Sequence, residues 1–219
     1  SGAVPDQEWL YDYCDAIDDP PGCDIWYPGY TVNMSIGQGS LITTPIQMAV
    51  TYAALLNGGQ VFEPRVGRAL GEPDTETDGT GEEITDQAGD EVIVREFKRK
   101  VSARLPLDDT ELSRLREGLE DVVMGSSGTA RSAFSAFPLD KYPVAGKTGT
   151  AQIGESDDNR AWFVGYAPAD NPKYLISVYL NFADHGGTSA APVAREIFEG
   201  IFNIDKETED VTLGSDASN

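Results

Sequence analysis

The chain is short of the residues that metal and redox chemistry require. One histidine and two cysteines are spread over 219 residues. With no second histidine to join it, His185 in Asp-His-Gly-Gly is expected to be a loop residue rather than a metal ligand or the base of a triad. Two thiolates without further Cys or His nearby do not make a zinc ligand set, so neither a metal nor a cofactor is expected. Positive charge is scarce too: 16 basic against 37 acidic side chains leave a formal net charge of −21, which repels nucleic acid and anionic membrane surfaces. Also absent are an internal repeat, an apolar run long enough to span a bilayer, and a basic, apolar and small-residue succession at the N-terminus. Neither a membrane span nor a signal peptide is therefore expected within the chain, and any export signal would lie outside it.

What is present suffices for a folded body. Hydrophobic residues make up 40% of the chain, enough for a sizeable core in one large domain or two small ones. Residues 1 to 34 read as a long loop, with Trp9, Tyr11, Tyr13, Trp26, Tyr27 and Tyr30 among prolines, glycines and acids, and such aromatics are expected to pack the loop onto a core. Within it, Cys14 and Cys23 enclose a tight polar loop, which leaves open a disulfide and a pair of free thiols. Ser35-Ile-Gly-Gln-Gly39 lacks the later glycine, lysine and hydroxyl of a phosphate loop and reads as a turn. Thr44 caps a helix with Pro45 at its first position and Asn57-Gly58-Gly59 at its end, and Ile46, Ala49, Val50, Ala53 and Leu56 predict a buried element.

Val61 to Leu70 alternates as a strand. Gly71 to Glu91 then carries nine acids and no base, which predicts a solvated or mobile loop, and its spacing does not follow the alternating ligands of a calcium loop. Val92 to Lys100 is a strand candidate bearing Arg95, Lys98, Arg99 and Lys100, read as a solvated face beside the acidic stretch. Asp108-Asp109-Thr110-Glu111 opens a helix by a capping box, Leu112, Leu115, Leu119, Val122 and Val123 keep helical spacing, and Gly125 ends it. A final helix from Ala191 to Asn203 starts at Pro192, with Val193, Ile197, Phe198 and Ile201 on its packed face. Asp205 to Asn219 reads as a disordered acidic tail.

The chemistry concentrates between Tyr142 and Ile153. Lys147, Thr148, Gly149 and Thr150 place a cation, two hydroxyls and a bare backbone on one strand edge. Lys147 supplies charge, the hydroxyls supply hydrogen bonds, and the N–H after Gly149 can point at a developing oxyanion. That set suits a carboxylate-bearing peptide. Taken alone, the four residues read as a polar turn, since four-residue matches arise often by chance. Their context favours a strand, since Ala161-Trp-Phe-Val-Gly-Tyr-Ala-Pro168 and Tyr174 to Leu180 follow as two more strand candidates, the first joined by an acidic hairpin loop, Gly154 to Asn159.

Val-Ala-Gly-Lys-Thr-Gly-Thr-Ala, then Ala-Trp-Phe-Val-Gly-Tyr-Ala-Pro, then a strand, then Gly-Gly-Thr-Ser-Ala-Ala-Pro and a helix resembles the transpeptidase domain of penicillin-binding proteins, whose signatures include Lys-Thr-Gly. Ser-Ile-Gly-Gln-Gly, Thr-Thr-Pro-Ile-Gln-Met-Ala, Ala-Leu-Leu-Asn-Gly-Gly and Pro-Arg-Val extend the resemblance to the class B enzymes over most of the chain. Val4-Pro-Asp-Gln-Glu-Trp9 leans toward the elongation type that builds the lateral wall. The two cysteines and the acidic insertion at 71 to 91 depart from the common pattern. So does the absence of two motifs, since no serine is followed three residues later by lysine and no Ser-x-Asn occurs. The resemblance thus implies the C-terminal part of a transpeptidase domain, residues 1–206 with the tail at 207–219, cut just after the second motif.

The implied fold is α+β, a penicillin-binding transpeptidase and serine β-lactamase-like antiparallel sheet flanked by helices. It is expected to be incomplete here, with three of five strands, the Lys-Thr-Gly strand at one edge and the strand around 174 to 180 unpaired at the other. The implied activity is cross-linking of peptidoglycan stem peptides through an acyl-enzyme, blocked covalently by β-lactams at a serine outside these residues. A serine β-lactamase, a D,D-carboxypeptidase and a non-catalytic scaffold are the alternatives. By the resemblance Lys147 would assist proton transfer, Thr148 and Thr150 would bind the terminal carboxylate alongside Gly149, and the Thr150 N–H would complete the oxyanion hole. The implied setting is the outer face of the cytoplasmic membrane, reached through an upstream anchor, with a glycosyltransferase among the partners. In that oxidising setting a Cys14–Cys23 disulfide is expected.

Overall fold

The structure, a computed structural model, describes residues 2–17, 21–67, 69–72, 92–152 and 159–204. Most of the acidic insertion, most of the 154–159 hairpin loop and the tail from 205 lie outside the described residues. The chain divides into two compact units, Ser1–Gly118 and Leu119–Asn219.

In the first unit the aromatic-rich N-terminus is not the expected loop. It forms two helices, α1 (Gln7–Ala16) and α2 (Pro28–Ser35). Asp6 caps α1 by accepting the Trp9 N–H at 2.8 Å, and Pro28 opens α2 with a φ already suited to the helix. Nor do the aromatics pack down onto a core. Trp9 stacks on Tyr13 at 5.2 Å, four residues on along one face of α1, and Trp26, just before α2, meets Tyr30 of that helix edge-on at 5.5 Å, while Tyr11, Tyr13, Tyr27 and Tyr30 stay exposed. Cys14, buried on α1, is joined to Cys23 in a disulfide with the Cα atoms 5.8 Å apart.

Helix α3 (Pro45–Leu56) has the expected cap and more: Gln47 N–H donates to Thr44 Oγ1 at 3.3 Å and the Thr44 N–H donates back to Gln47 Oε1 at 2.9 Å, a closed capping box. Gly58 and Gly59 end it with φ of 63° and 78°, a left-handed exit that a side chain resists. Its expected burial is not found. Ala54 is its buried residue and Ile46 is 56% exposed, because this helix is apolar nearly all round and its own unit covers only part of that circumference.

The expected strand from Val61 to Leu70 breaks in two around Pro64, which has no N–H to give a ladder. Its halves are β1 (Gln60–Phe62) and β2 (Ala69–Glu72). The expected basic strand from Val92 to Lys100 ends early, as β3 (Val92–Glu96), paired antiparallel with β2; Lys98, Arg99 and Lys100 lie between it and a further strand, β4 (Val101–Arg104), paired antiparallel with β1. Lys100 pairs with Glu63 at 2.6 Å. Helix α4 (Asp109–Val123) opens on the expected box, with Glu111 N–H to Asp108 Oδ1 at 2.8 Å and Asp108 N–H to Glu111 Oε2 at 2.9 Å. The Arg116 guanidinium of α4 donates to Leu55 O near the end of α3, giving one of that helix's orphan carbonyls a charged partner.

The second unit is built on a three-stranded antiparallel sheet in the order β5 (Ala145–Ala151), β6 (Arg160–Ala167), β7 (Tyr174–Leu180). Among the described residues β5 and β7 are its two edges, as expected. Strand alternation puts Ala161, Phe163 and Ala167 of β6 and Val178 of β7 on one face, where α5 (Ala191–Ile201) and the segment between α4 and β5 cover them. Val123, Ala130, Phe134, Phe137, Val144, Ala191, Ala194 and Phe198 complete this core. Phe134 lies 5.7 Å from both Phe137 and Phe163. Gly146 and Gly165, opposite each other on β5 and β6, make the slot for the Phe163 ring, since a Cβ on either would stand 2.6 or 2.5 Å from it. The packed face of α5 agrees with the expected one at Phe198 and Ile201 and differs at Val193 and Ile197. Ala191, Ala194 and Phe198 turn inward while Val193 and Ile197 are exposed, because small residues let the helix approach the sheet closely and the larger ones are displaced outward.

Candidate active site

Strand β5 carries Lys147, Thr148, Gly149 and Thr150 along the outer edge of the sheet. Its register pairs Lys147 with Val164, Gly149 with Trp162 and Thr150 with Ala161. A Cβ added to Gly186 would overlap the Trp162 carbonyl and stand 2.6 and 2.8 Å from Gly149 O and N. These three atoms therefore face one another, which makes Gly149 and Trp162 a hydrogen-bonded pair. In an antiparallel ladder such pairs alternate with pairs whose main-chain groups point away. The N–H groups of Thr148 and Thr150 thus turn outward from β6, along the edge where an extended ligand would lie.

The side chains divide between the two faces of the strand. Lys147 is exposed on one face and its Nζ donates to Thr148 O. Thr148 and Thr150 are half-buried on the face shared with Phe163. Their hydroxyls are held from behind: Thr148 Oγ1 lies 2.7 Å from Thr129 Oγ1, and Thr150 Oγ1 accepts the Gly186 N–H at 3.2 Å. The supports come from two small-residue turns. After α4, Gly128 N–H donates to Gly125 O at 3.1 Å and Ala130 N–H to Val122 O at 3.0 Å, folding Thr129 back toward β5. Before α5, a single π turn, Gly186–Ala190, lays its backbone on β5 and β6, and a Cβ on Gly187 would overlap the Thr129 carbonyl.

Thr129, Gly186 and Gly187 were not among the expected site residues. The double glycine before a helix was the available signal, because it marks a place where backbone meets backbone. At Gly149, the bare position expected on the strand, a Cβ would meet Trp162 Cβ at 3.3 Å; Gly186 and Gly187 need the space more. His185 is exposed, and its carbonyl accepts Ser189 N–H at 2.8 Å at the start of the π turn. Cys14 and Cys23 belong to the first unit. The arrangement presents a cation, two braced hydroxyls and an outward main-chain N–H along one strand edge, a set that can bind a carboxylate and stabilise an oxyanion.

Comparison with known proteins gives this edge a family. Residues 8–199 match the penicillin binding protein transpeptidase domain. Peptidoglycan D,D-transpeptidase MrdA of Haemophilus influenzae is 31% identical over 193 residues, covering 81% of this chain and 26% of that protein. Pseudomonas aeruginosa PBP2, in complex with WCK 5153, superposes with a TM-score of 0.63 at 29% identity over 94% of this chain and 39% of that one. Penicillin-binding protein A from M. tuberculosis, an imipenem acyl-enzyme complex, superposes with a TM-score of 0.58 at 25% identity over 78% of this chain and 33% of that one. The chain spans about a quarter of the length of the curated relatives it matches. Its sequence, its antiparallel sheet and its Lys-Thr-Gly edge agree, and the chain belongs to the penicillin-binding protein transpeptidase domain family.

Proposed function

We propose that these residues form the substrate-holding part of a peptidoglycan D,D-transpeptidase. The observation that carries this reading is the outer edge of β5, where Lys147 and the braced Thr148 and Thr150 accompany an outward-turned Thr150 N–H. A stem peptide ending in D-alanyl-D-alanine would lie along it in extended form. Thr148 and Thr150 would donate to its terminal carboxylate, Lys147 would supply charge and take part in proton transfer, and the Thr150 N–H would stabilise the oxyanion formed when a serine Oγ attacks the peptide carbonyl. Collapse of that intermediate breaks the C–N bond, releases D-alanine and leaves an acyl-enzyme, which the amine of a second stem peptide then attacks. β-Lactams would enter the same edge and stay attached to the serine.

No Ser-x-x-Lys occurs in the chain, so the nucleophile is assigned to sequence outside it. The transpeptidase domain would include residues 1–206, interrupted by the acidic insertion at 71–91, with 207–219 as a tail. Among the described residues no helix is long and apolar enough to cross a membrane. An upstream anchor would hold the whole protein at the extracytoplasmic face, beside a glycosyltransferase that supplies glycan strands.

The test is labelling by a fluorescent penicillin, followed by denaturing electrophoresis. The intact protein should give a band that survives denaturation, and Lys147→Ala should slow its appearance about 10²- to 10⁴-fold. The 219-residue chain alone should give none, because an unactivated serine is a weak nucleophile at neutral pH. An intact protein that is never labelled would overturn the reading, and rapid turnover of the drug would move it to a β-lactamase.

A further inference from the structure

We infer that Thr129 is a positioning residue for ligand binding, one that fixes the direction of the Thr148 hydroxyl proton. The inference rests on the transpeptidase reading above and adds to it a residue 19 positions upstream of the strand motif. Its starting point is the 2.7 Å contact between Thr129 Oγ1 and Thr148 Oγ1, in which either oxygen could be the donor. A hydroxyl has one proton and two lone pairs. If Thr148 spent its proton on Thr129, a ligand carboxylate arriving at the edge would meet lone pairs on Thr148 and be repelled. If Thr129 donates instead, Thr148 accepts from behind and keeps its own proton for the carboxylate in front.

The neighbouring threonine shows the same polarity with the donor beyond dispute. Thr150 Oγ1 accepts from the Gly186 N–H, and an amide nitrogen of this kind only donates. Thr129 is placed to play toward Thr148 the part that Gly186 plays toward Thr150. Its placement is also firmly determined. Gly128 just before it has no room for a Cβ, which would stand 2.5 Å from Asp121 O, and the Thr129 carbonyl abuts Gly187. The turn after α4 and the π turn before α5 therefore clamp Thr129 between them, and its exposed hydroxyl has Thr148 within reach.

The experiment uses the intact protein and two ligands, benzylpenicillin and its methyl ester, with acylation rates measured in competition against a fluorescent penicillin. Thr129→Val keeps the shape and removes the donor, Thr129→Ala does so without added bulk, and Thr129→Ser restores the hydroxyl. For the free acid, Thr129→Val and Thr129→Ala should lower kcat/KM-type acylation efficiency about tenfold, the cost of losing the neutral hydrogen bond that aims the Thr148 proton, while the ester and the Thr129→Ser variant stay within about twofold of wild type. Thermal unfolding shows which hydroxyl-free variant is intact, and that variant is the one compared. Equal losses on acid and ester would mean that Thr129 only supports the fold and would overturn the inference, as would unchanged acylation by the acid or a failure of serine to rescue. A wild-type protein that takes neither ligand would instead strike at the transpeptidase reading beneath it.

Discussion

In residues 119–219, Phe134, Phe137, Phe163 and Phe198 are buried around one sheet face, with alanines closing the gaps between them. In residues 1–118 the large apolar side chains are mostly outside: Tyr11, Tyr27, Tyr30, Val32, Ile36, Ile42 and Ile46 are all exposed, and α2 has no buried residue at all. The first unit is held instead by individual polar and covalent devices: a disulfide closing a nine-residue separation, the Asp6 and Thr44 caps, and, across 61 residues, the Arg116 guanidinium on Leu55 O. The difference teaches where the site can reside. A ligand edge must hold its groups to within fractions of an ångström, and the unit with a close-packed interior is the one that carries Lys147, Thr148 and Thr150.

Removing the interior of the second unit should break that comparison most severely. Phe198 is fully buried between Phe137 and Phe202, and Phe198→Ala should cost about 3–5 kcal/mol through lost burial and the cavity left behind. The matching change in the first unit, Tyr30→Ala, removes a partly exposed ring together with its edge-on contact to Trp26 and should cost only about 1 kcal/mol. Urea unfolding of both variants, followed by tryptophan fluorescence and circular dichroism, measures the contrast. A small loss for Phe198→Ala would mean that the core does not hold the edge.

Reducing the disulfide should touch the first unit alone. In the chain-entropy account, closing a loop this short restricts the unfolded chain by about 2–3 kcal/mol, and Cys14 is a buried residue of α1 while Cys23 lies beyond that helix. Hydrogen exchange with and without reductant should therefore show α1 amides losing protection by up to that amount. Those of β5, β6 and β7 should be unchanged. In the oxidised protein both thiols should resist alkylation under denaturing conditions, and free alkylation of both would contradict the pairing.

The same contrast governs what the sequence made legible. In the second unit, alternation and turn residues were enough to place β5, β6, β7 and α5, because each buries one face against a partner within the unit. Half of the α5 face was misjudged: Phe198 and Ile201 pack as expected, but ranking residues by size favours Val193 and Ile197, whereas close helix-to-sheet approach selects Ala191 and Ala194. In the first unit, proline, glycine and acid content suggested a loop where Asp6 and Pro28 start helices, and a ten-residue strand was read through Pro64. Of the site, Lys147 to Thr150 stood out because their chemistry is contiguous. Thr129 and Gly186 are joined to it only by the folding of distant turns onto one edge; the double glycine at 186 and 187 signals a close approach without naming the strand it meets, and no local pattern marks Thr129.

Helix α3 allows the comparison to be sharpened within a single element, at the smallest scale. Thr44 is its polar cap, closing a reciprocal pair of hydrogen bonds with Gln47, while Ile46 two residues on is large, apolar and 56% exposed. Hydrophobicity alone would rank Ile46 as the more important residue. The geometry ranks them the other way. Thr44→Ala leaves helix N–H groups without their partner and should cost about 1 kcal/mol. Ile46→Ala gives up surface that is already largely in contact with water, and alanine's better helix propensity offsets part of the remainder, so the net change should stay under about 0.5 kcal/mol in either direction. Paired urea titrations of the two variants decide the order, because they share a helix, a background and an unfolded state. A loss of 2 kcal/mol or more at Ile46, the range of a buried isoleucine, would show that this side chain is covered in solution and that the first unit is packed more like the second than its exposed surface indicates.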